Sequence, residues 1–181
     1  VHHIGQPAIV PGSFLKDLAV DPNHPFTYLS DPANGTDAAL IVLDRSNGLT
    51  RRVLQGHGSV IPDPSVPLAA DSSANKSRRL DGVQMVPHCG VDPIALDRKG
   101  DWLYFAPLRS NRIYRIRTEL LRDPYLEPAK LAAGVETYAE KPPTSSITLD
   151  NKGNLYVGDS QARAIGVIEE GSRKYRILTS D

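Results

Sequence analysis

Apolar residues come along this chain in short bursts divided by turn residues, and the bursts recur in sets. The clearest set starts at Gly90. Apolar stretches at 94–96, 102–105 and 113–116 are separated by Asp97-Arg98-Lys99-Gly100 and Arg109-Ser110-Asn111. Runs this short, bounded by Gly, Pro, Asn and Asp, predict β-strands joined by tight turns. The same plan occurs twice more, over 17–44 and 145–170. Each copy can be anchored on an aspartate: Asp21, Asp97 or Asp150. Before each anchor stands a three-residue strand end, Leu18-Ala19-Val20, Ile94-Ala95-Leu96 or Ile147-Thr148-Leu149. After it come a turn and a strand carrying a tyrosine, Tyr28, Tyr104 or Tyr156. Third strands are predicted at 39–43, 112–116 and 164–168, and fourth strands at 49–54, 130–138 and 174–178.

A lone four-stranded meander cannot bury both faces, so repeated meanders pack face to face around an axis. The predicted fold is therefore all-β: a β-propeller of four-stranded antiparallel blades, about three of them present. A β-sandwich is the competing architecture, but it does not repeat its sequence in this way. The predicted blades are 13–56, 91–140 and 144–181, with a long surface loop at 57–90 that has room for a hairpin. Residues 1–12 are read as a strand or linker of a preceding blade, with an outer strand at 8–10. One short helix is expected at 118–122, capped by Thr118 and stopped before Pro124. The anchor aspartates are expected to cap the hairpins, as are Asp31 and Asp159 at the ends of second strands.

Composition narrows the function classes. The chain has 181 residues, 21 Lys+Arg and 21 Asp+Glu, hence zero formal net charge. A general nucleic-acid binder needs an excess of cations to meet phosphates, so no nucleic-acid partner is expected. Apolar runs such as 38–43 are too short to cross a bilayer, and no membrane partner is expected. No signal peptide is visible in the first residues. Cys89 is the only cysteine, which leaves no intramolecular disulfide and no thiolate cluster within one chain.

The blocks FLKDLAVD, ALIVLDRSNGLTRRVL, GVDPIALDRKGDWLYFAPLRSNRIYRIRTELLRD and DNKGNLYVGDSQARAI together resemble the Yellow/major royal jelly protein family. The resemblance runs from about Phe14 to the C-terminus and is most specific between Gly90 and Asp123. It implies a six-bladed propeller about twice this length, so the chain is read as half of one. It also implies a secreted or extracytoplasmic setting. Half a propeller leaves two blade faces unpacked. Either the chain is a piece of a longer one, or a second copy completes the ring as a two-fold homodimer.

Propellers bind ligands at the axial mouth, where the innermost strands begin. The residues five before each anchor fall there: Lys16, Asp92 and Ser145. Asp17 and Ser146 follow the first and third of them. These five are the candidate ligand-binding residues, for a small molecule at the axis. Asp92 is the best candidate for a catalytic role, with the counter-reading that it forms a structural ion pair with Lys16. The family resemblance implies a small-molecule-binding or tautomerase-like propeller acting on indole or amine compounds, with Asp92 meeting a cationic amine or serving as a base. The more distantly similar gluconolactonase/regucalcin-like propellers imply the alternative, a divalent-metal-dependent lactonase. Calcium needs several converging oxygens; Lys16 repels a cation and Ser145 is a weak donor, so no metal site and no cofactor are assigned. A non-catalytic interaction scaffold is the third class.

Other conspicuous residues are assigned structural roles. His2 and His3 lie at the start of the chain and His24 in a hairpin turn. His57 and His88 flank the long loop. His88 and Cys89 point to opposite faces if extended, so they do not form a joint site, and Cys89 is expected to pack. Trp102 and Tyr104 are expected to fill space between blades. The arginines at 51–52, 78–79 and 112–117 are read as solvated charge that protects strand edges.

Overall fold

Each sequence repeat folds into one four-stranded antiparallel meander in the computed structural model, which describes residues 3–67, 79–80, 83–84 and 89–180. The first sheet is β1 (Leu18–Val20), β2 (Phe26–Asp31), β3 (Ala39–Asp44) and β4 (Thr50–Val53). A two-stranded hairpin follows within the long connection, β5 (Arg79–Leu80) and β6 (Val83–Gln84). The second sheet is β7 (Val91–Leu96), β8 (Trp102–Pro107), β9 (Arg112–Arg117) and β10 (Glu136–Glu140). The third is β11 (Ile147–Leu149), β12 (Leu155–Asp159), β13 (Ala164–Ile168) and β14 (Tyr175–Ser180). The first strands β1, β7 and β11 neighbour one another in that order, so the sheets stand like blades around a common line.

Period-two alternation explains the packing, because each strand sends alternate side chains to opposite faces. Tyr28, Leu40 and Val42 of the first blade meet Ile94, Leu103 and Phe105 of the second. From its other face the second blade sends Tyr104, Ala106 and Ile113 against Ile147, Leu155 and Ile168 of the third.

The anchor aspartates close the hairpins as expected. Asp21 Oδ1 accepts from the amides of Asn23 (2.9 Å) and His24 (3.0 Å). Asp97 Oδ1 accepts from Asp101 and Trp102, and Asp150 Oδ1 from Lys152 and Asn154. The repeated tyrosine is tied to the same carboxylate in two blades: Tyr28 donates to Asp21 and Tyr156 to Asp150. Asp31 and Asp159 likewise cap the turns after their strands, accepting from Ala33 and from Gln161 and Ala162.

Four local expectations are corrected. Residues 8–10 form no strand; they are turns, and Ala8, with Ile4 and Ile9, covers Leu29, Ile41 and Leu43 on the free face of the first blade. The fourth strand of the second blade begins at Glu136 rather than 130, because Pro128–Ala133 forms a helix, α2. Proline at its first turn costs no hydrogen bond and presets φ, while Leu131 supplies the buried position. Helix α1 (Thr118–Arg122) lies where predicted, but its N-cap is Arg117 and Thr118 instead donates to the Gly100 carbonyl. Arg51 and Arg52 are not solvated edge charges. Arg51 donates to the Leu121 carbonyl, and Arg52 reaches Asp31 at 2.6 Å with both side chains buried. Arg78, His2 and His88 lie outside the described residues.

Candidate functional site

At the axial end of the blades, the first strand of the second blade is irregular. Val91 pairs with Pro107 and Ile94 with Phe105, and the register slips between them, so Asp92 and Pro93 occupy a bulge. A bulge re-aims its side chains, and proline suits it because the ladder donor is already lost there. The first blade holds this bulge in place. Ser30, itself fully buried, donates its hydroxyl to the Asp92 carbonyl at 2.7 Å, and Asp17 Oδ2 accepts from the Ile94 amide at 3.1 Å.

Asp92 is 4% exposed, and its Oδ1 is enclosed without any hydrogen-bond partner. Burial pushes its pKa up to about 6; the ammonium groups of Lys16 and Lys141 pull it down less, and the Asp17 carboxylate adds to the rise. An enclosed carboxyl with an empty acceptor is an exception that calls for a reason.

The five expected residues divide into two groups. Lys16, Asp17 and Asp92 come together across the first and second blades, but Lys16 is exposed and makes no ion pair with Asp92. The expected Lys16–Asp92 pair is therefore not formed. Asp17 turns into the blade junction, not toward a ligand, and also accepts from the Leu18 amide. Ser145 and Ser146 are exposed and line a separate cavity of about 490 Å³ with Asp159 and Arg163; Asp92 is not part of its wall.

One residue that sequence reasoning passed over stands beside Asp92. Lys141, also 4% exposed, follows β10 and donates its ammonium to the carbonyls of Ser110 (2.6 Å), Pro107 (3.2 Å) and Pro142 (3.3 Å). Burial lowers its pKa to about 7, opposed by the Asp92 charge. The signal was a break in the repeat. Asp31 in the first blade accepts from Arg52, and Asp159 in the third from Tyr175 (2.7 Å). Pro107 takes that place in the second blade and has only a carbonyl to offer, which Lys141 fills.

Among the described residues no group of three or more His, Cys, Asp or Glu converges as a metal site would require. Around Asp92 stand the Lys16 and Lys141 ammonium groups and one further carboxylate, Asp17, where a hard cation such as calcium needs several converging oxygens. Cys89 is buried and its thiol is pushed up by burial, which leaves little thiolate for nucleophilic chemistry. His57 Nδ1 is engaged with Ser59 at 2.8 Å, and His24 with Asp21 at 3.2 Å. Trp102 lies beneath the guanidinium groups of Arg115 and Arg117, at 4.0 and 4.1 Å from its centroid.

Comparison with solved structures places the fold. The nidogen/laminin complex matches with a TM-score of 0.59 at 14% identity, over 94% of this chain and 49% of that one. Regucalcin, a calcium-binding protein of Agrobacterium tumefaciens, matches at 0.56 and 10% identity, over 94% and 45%. A gluconolactonase from Xanthomonas campestris matches at 0.55 and 12%, over 90% and 46%. The likeness is one of fold, and the chain spans about half the length of each. A search of curated proteins returns no match. The family model described as major royal jelly protein matches residues 2–176, nearly the whole chain. Repeat, fold and family model agree: the chain belongs to the major royal jelly protein family.

Proposed function

We propose that this chain supplies part of a small-molecule site at the propeller axis, with Asp92 as the acid that anchors a cationic amine on an indole-like compound. The observation that carries this reading is the buried Asp92 carboxyl at the axial bulge, whose Oδ1 is enclosed and has no hydrogen-bond partner. A buried carboxylate without partners is costly in isolation and gains a charge-assisted hydrogen bond when an ammonium group reaches it. Because its pKa lies near 6, Asp92 is ionised at neutral pH yet basic enough to take a proton, which supports a tautomerase-like proton shift as its chemistry. The extracellular setting general to the family supports a role outside the cell. No helix among the described residues is long and apolar enough to cross a membrane.

Calorimetry on the full-length protein with tryptamine at pH 7.5 tests the reading. Saturable binding is expected, weakened about tenfold or more by Asp92→Asn. Equal binding by the wild type and the variant, or tighter binding of the uncharged indole ring alone, refutes it.

A further inference from the structure

The connection between β2 and β3 carries Asn34-Gly35-Thr36, an Asn-x-Thr triplet whose middle residue is not proline. This triplet is the acceptor sequence for N-linked oligosaccharide on chains that pass through a secretory lumen. Asn34 and Thr36 are both exposed. The Asn34 amide makes its hydrogen bonds within the turn, at an exposed position. Its Cβ side lies 3.7 Å from where a side chain on Gly12 would begin, so the neighbouring loop backs the residue. Its Oδ1 accepts from the Asp37 amide at 3.1 Å and its Nδ2 donates to Asp37 Oδ2 at 2.9 Å. Gly35 turns the backbone at φ +96°, and its amide donates to the Pro32 carbonyl at 2.9 Å.

We infer that Asn34 is an N-glycosylation site, the sugar donor being a lipid-pyrophosphate-linked oligosaccharide. In the transfer, Nδ2 forms a bond to the anomeric carbon, the carbon–oxygen bond to the lipid pyrophosphate breaks, and Nδ2 loses one proton. The product is a secondary amide. It keeps one N–H, so the bond to Asp37 Oδ2 can survive with the sugar in place, and the folded turn accommodates its own modification. The same geometry works against the competing reaction of an Asn-Gly pair. Deamidation needs the Gly35 nitrogen to attack the Asn34 side-chain carbonyl, and that nitrogen is already engaged with Pro32. The inference rests on the family's extracellular setting and is independent of any ligand at Asp92.

Peptide mapping of the full-length protein, secreted by its own cells, tests it. Trypsin releases residues 17–45 as one peptide. The expected result is a glycan mass on this peptide. After peptide N-glycosidase in heavy-oxygen water, the glycan is replaced by labelled aspartate at position 34. Thr36→Ala should abolish the modification and Thr36→Ser should retain it. Recovery of the peptide wholly unmodified overturns the inference. So does unlabelled aspartate at position 34, which is deamidation, and so does a glycan that persists in Thr36→Ala.

Discussion

Replacing Asp92 by asparagine should make the protein more stable at neutral pH, and the structure sets the size. Asp92 is enclosed and its Oδ1 has no partner, so burial lifts its pKa from 3.8 to about 6. Each tenfold change in a protonation equilibrium is worth about 1.4 kcal/mol, so the ionised carboxyl opposes folding by about 3 kcal/mol above pH 6. The sign follows from proton uptake. Between pH 3.8 and 6 the folded state holds the proton and the unfolded state has released it, so stability falls as pH rises through that window and is flat above it. Asparagine fills the same space without the charge. Part of the gain is lost because Lys141 is deprived of the neighbour that supports its own charge. The net expectation for Asp92→Asn is about 1–3 kcal/mol of added stability at pH 7.5, vanishing near pH 3.8. Urea denaturation across pH 3.5–8 reads both quantities. A variant less stable than wild type at pH 7.5, or one that keeps the wild-type slope between pH 4 and 6, refutes the argument.

Other positions give independent tests. Lys141→Met removes the donor to two buried carbonyls and one half-buried carbonyl and should cost about 2–3 kcal/mol at pH 7. In the wild type, the lowered Lys141 pKa means that the unfolded state binds more protons between about pH 7 and 10.5, so stability should rise over that range and not in the variant. Arg52→Met leaves the buried Asp31 carboxylate without its counter-charge and should cost about 3–5 kcal/mol, with Asp31→Asn in the same chain recovering part of it; a loss under about 1 kcal/mol in urea titration contradicts the pairing. Gly166→Ala places a methyl 2.0 Å from the Tyr175 ring and should cost about 2–4 kcal/mol by displacing the tyrosine that bonds Asp159. Thermal unfolding of Gly166→Ala within a degree of wild type would show that the ring has room to move.

The strand order was legible because two signals agreed: alternation within each burst, and three copies of the burst order. The helix at Pro128–Ala133 was not, because six residues with one buried apolar side chain, Leu131, are too few to show a helical period. Three apolar residues in a row at 8–10 suggest a strand, because such a run looks the same whether it enters a sheet or only lies upon one. At the site, comparing the copies drew out Asp92, where an acid stands in place of Lys16 and Ser145. The same comparison held the key to Lys141, in the replacement of Asp31 and Asp159 by Pro107, but a missing acid does not name the residue that compensates for it. The separation of Ser145 and Ser146 from Asp92 depends on how far each blade turns about the axis, which no local pattern encodes.

Exposed apolar side chains on the first and third blades pose a question of association. The first blade has part of its free face covered from within the chain by Ala8 and its neighbours, whereas Leu18 and Val20 near the axis remain more than half exposed. On the third blade, Ile165, Ile177 and Leu178 are about half exposed. Apolar groups of this kind want cover from further blades of the same chain or from a second copy. Light scattering on this 181-residue chain separates the two, a discrete dimer favouring the second copy and a discrete monomer excluding it.

The central claim, that Asp92 is a buried acid waiting for a cationic ligand, is tested most directly by following its side-chain carboxyl carbon by NMR as pH is varied, with and without saturating tryptamine. The account predicts a midpoint near 6 in the free protein and a lower one once an ammonium group stabilises the ionised form. A free midpoint near 3.8 would contradict the enclosure of Asp92, and a midpoint unmoved by the amine would contradict its role as the anchor.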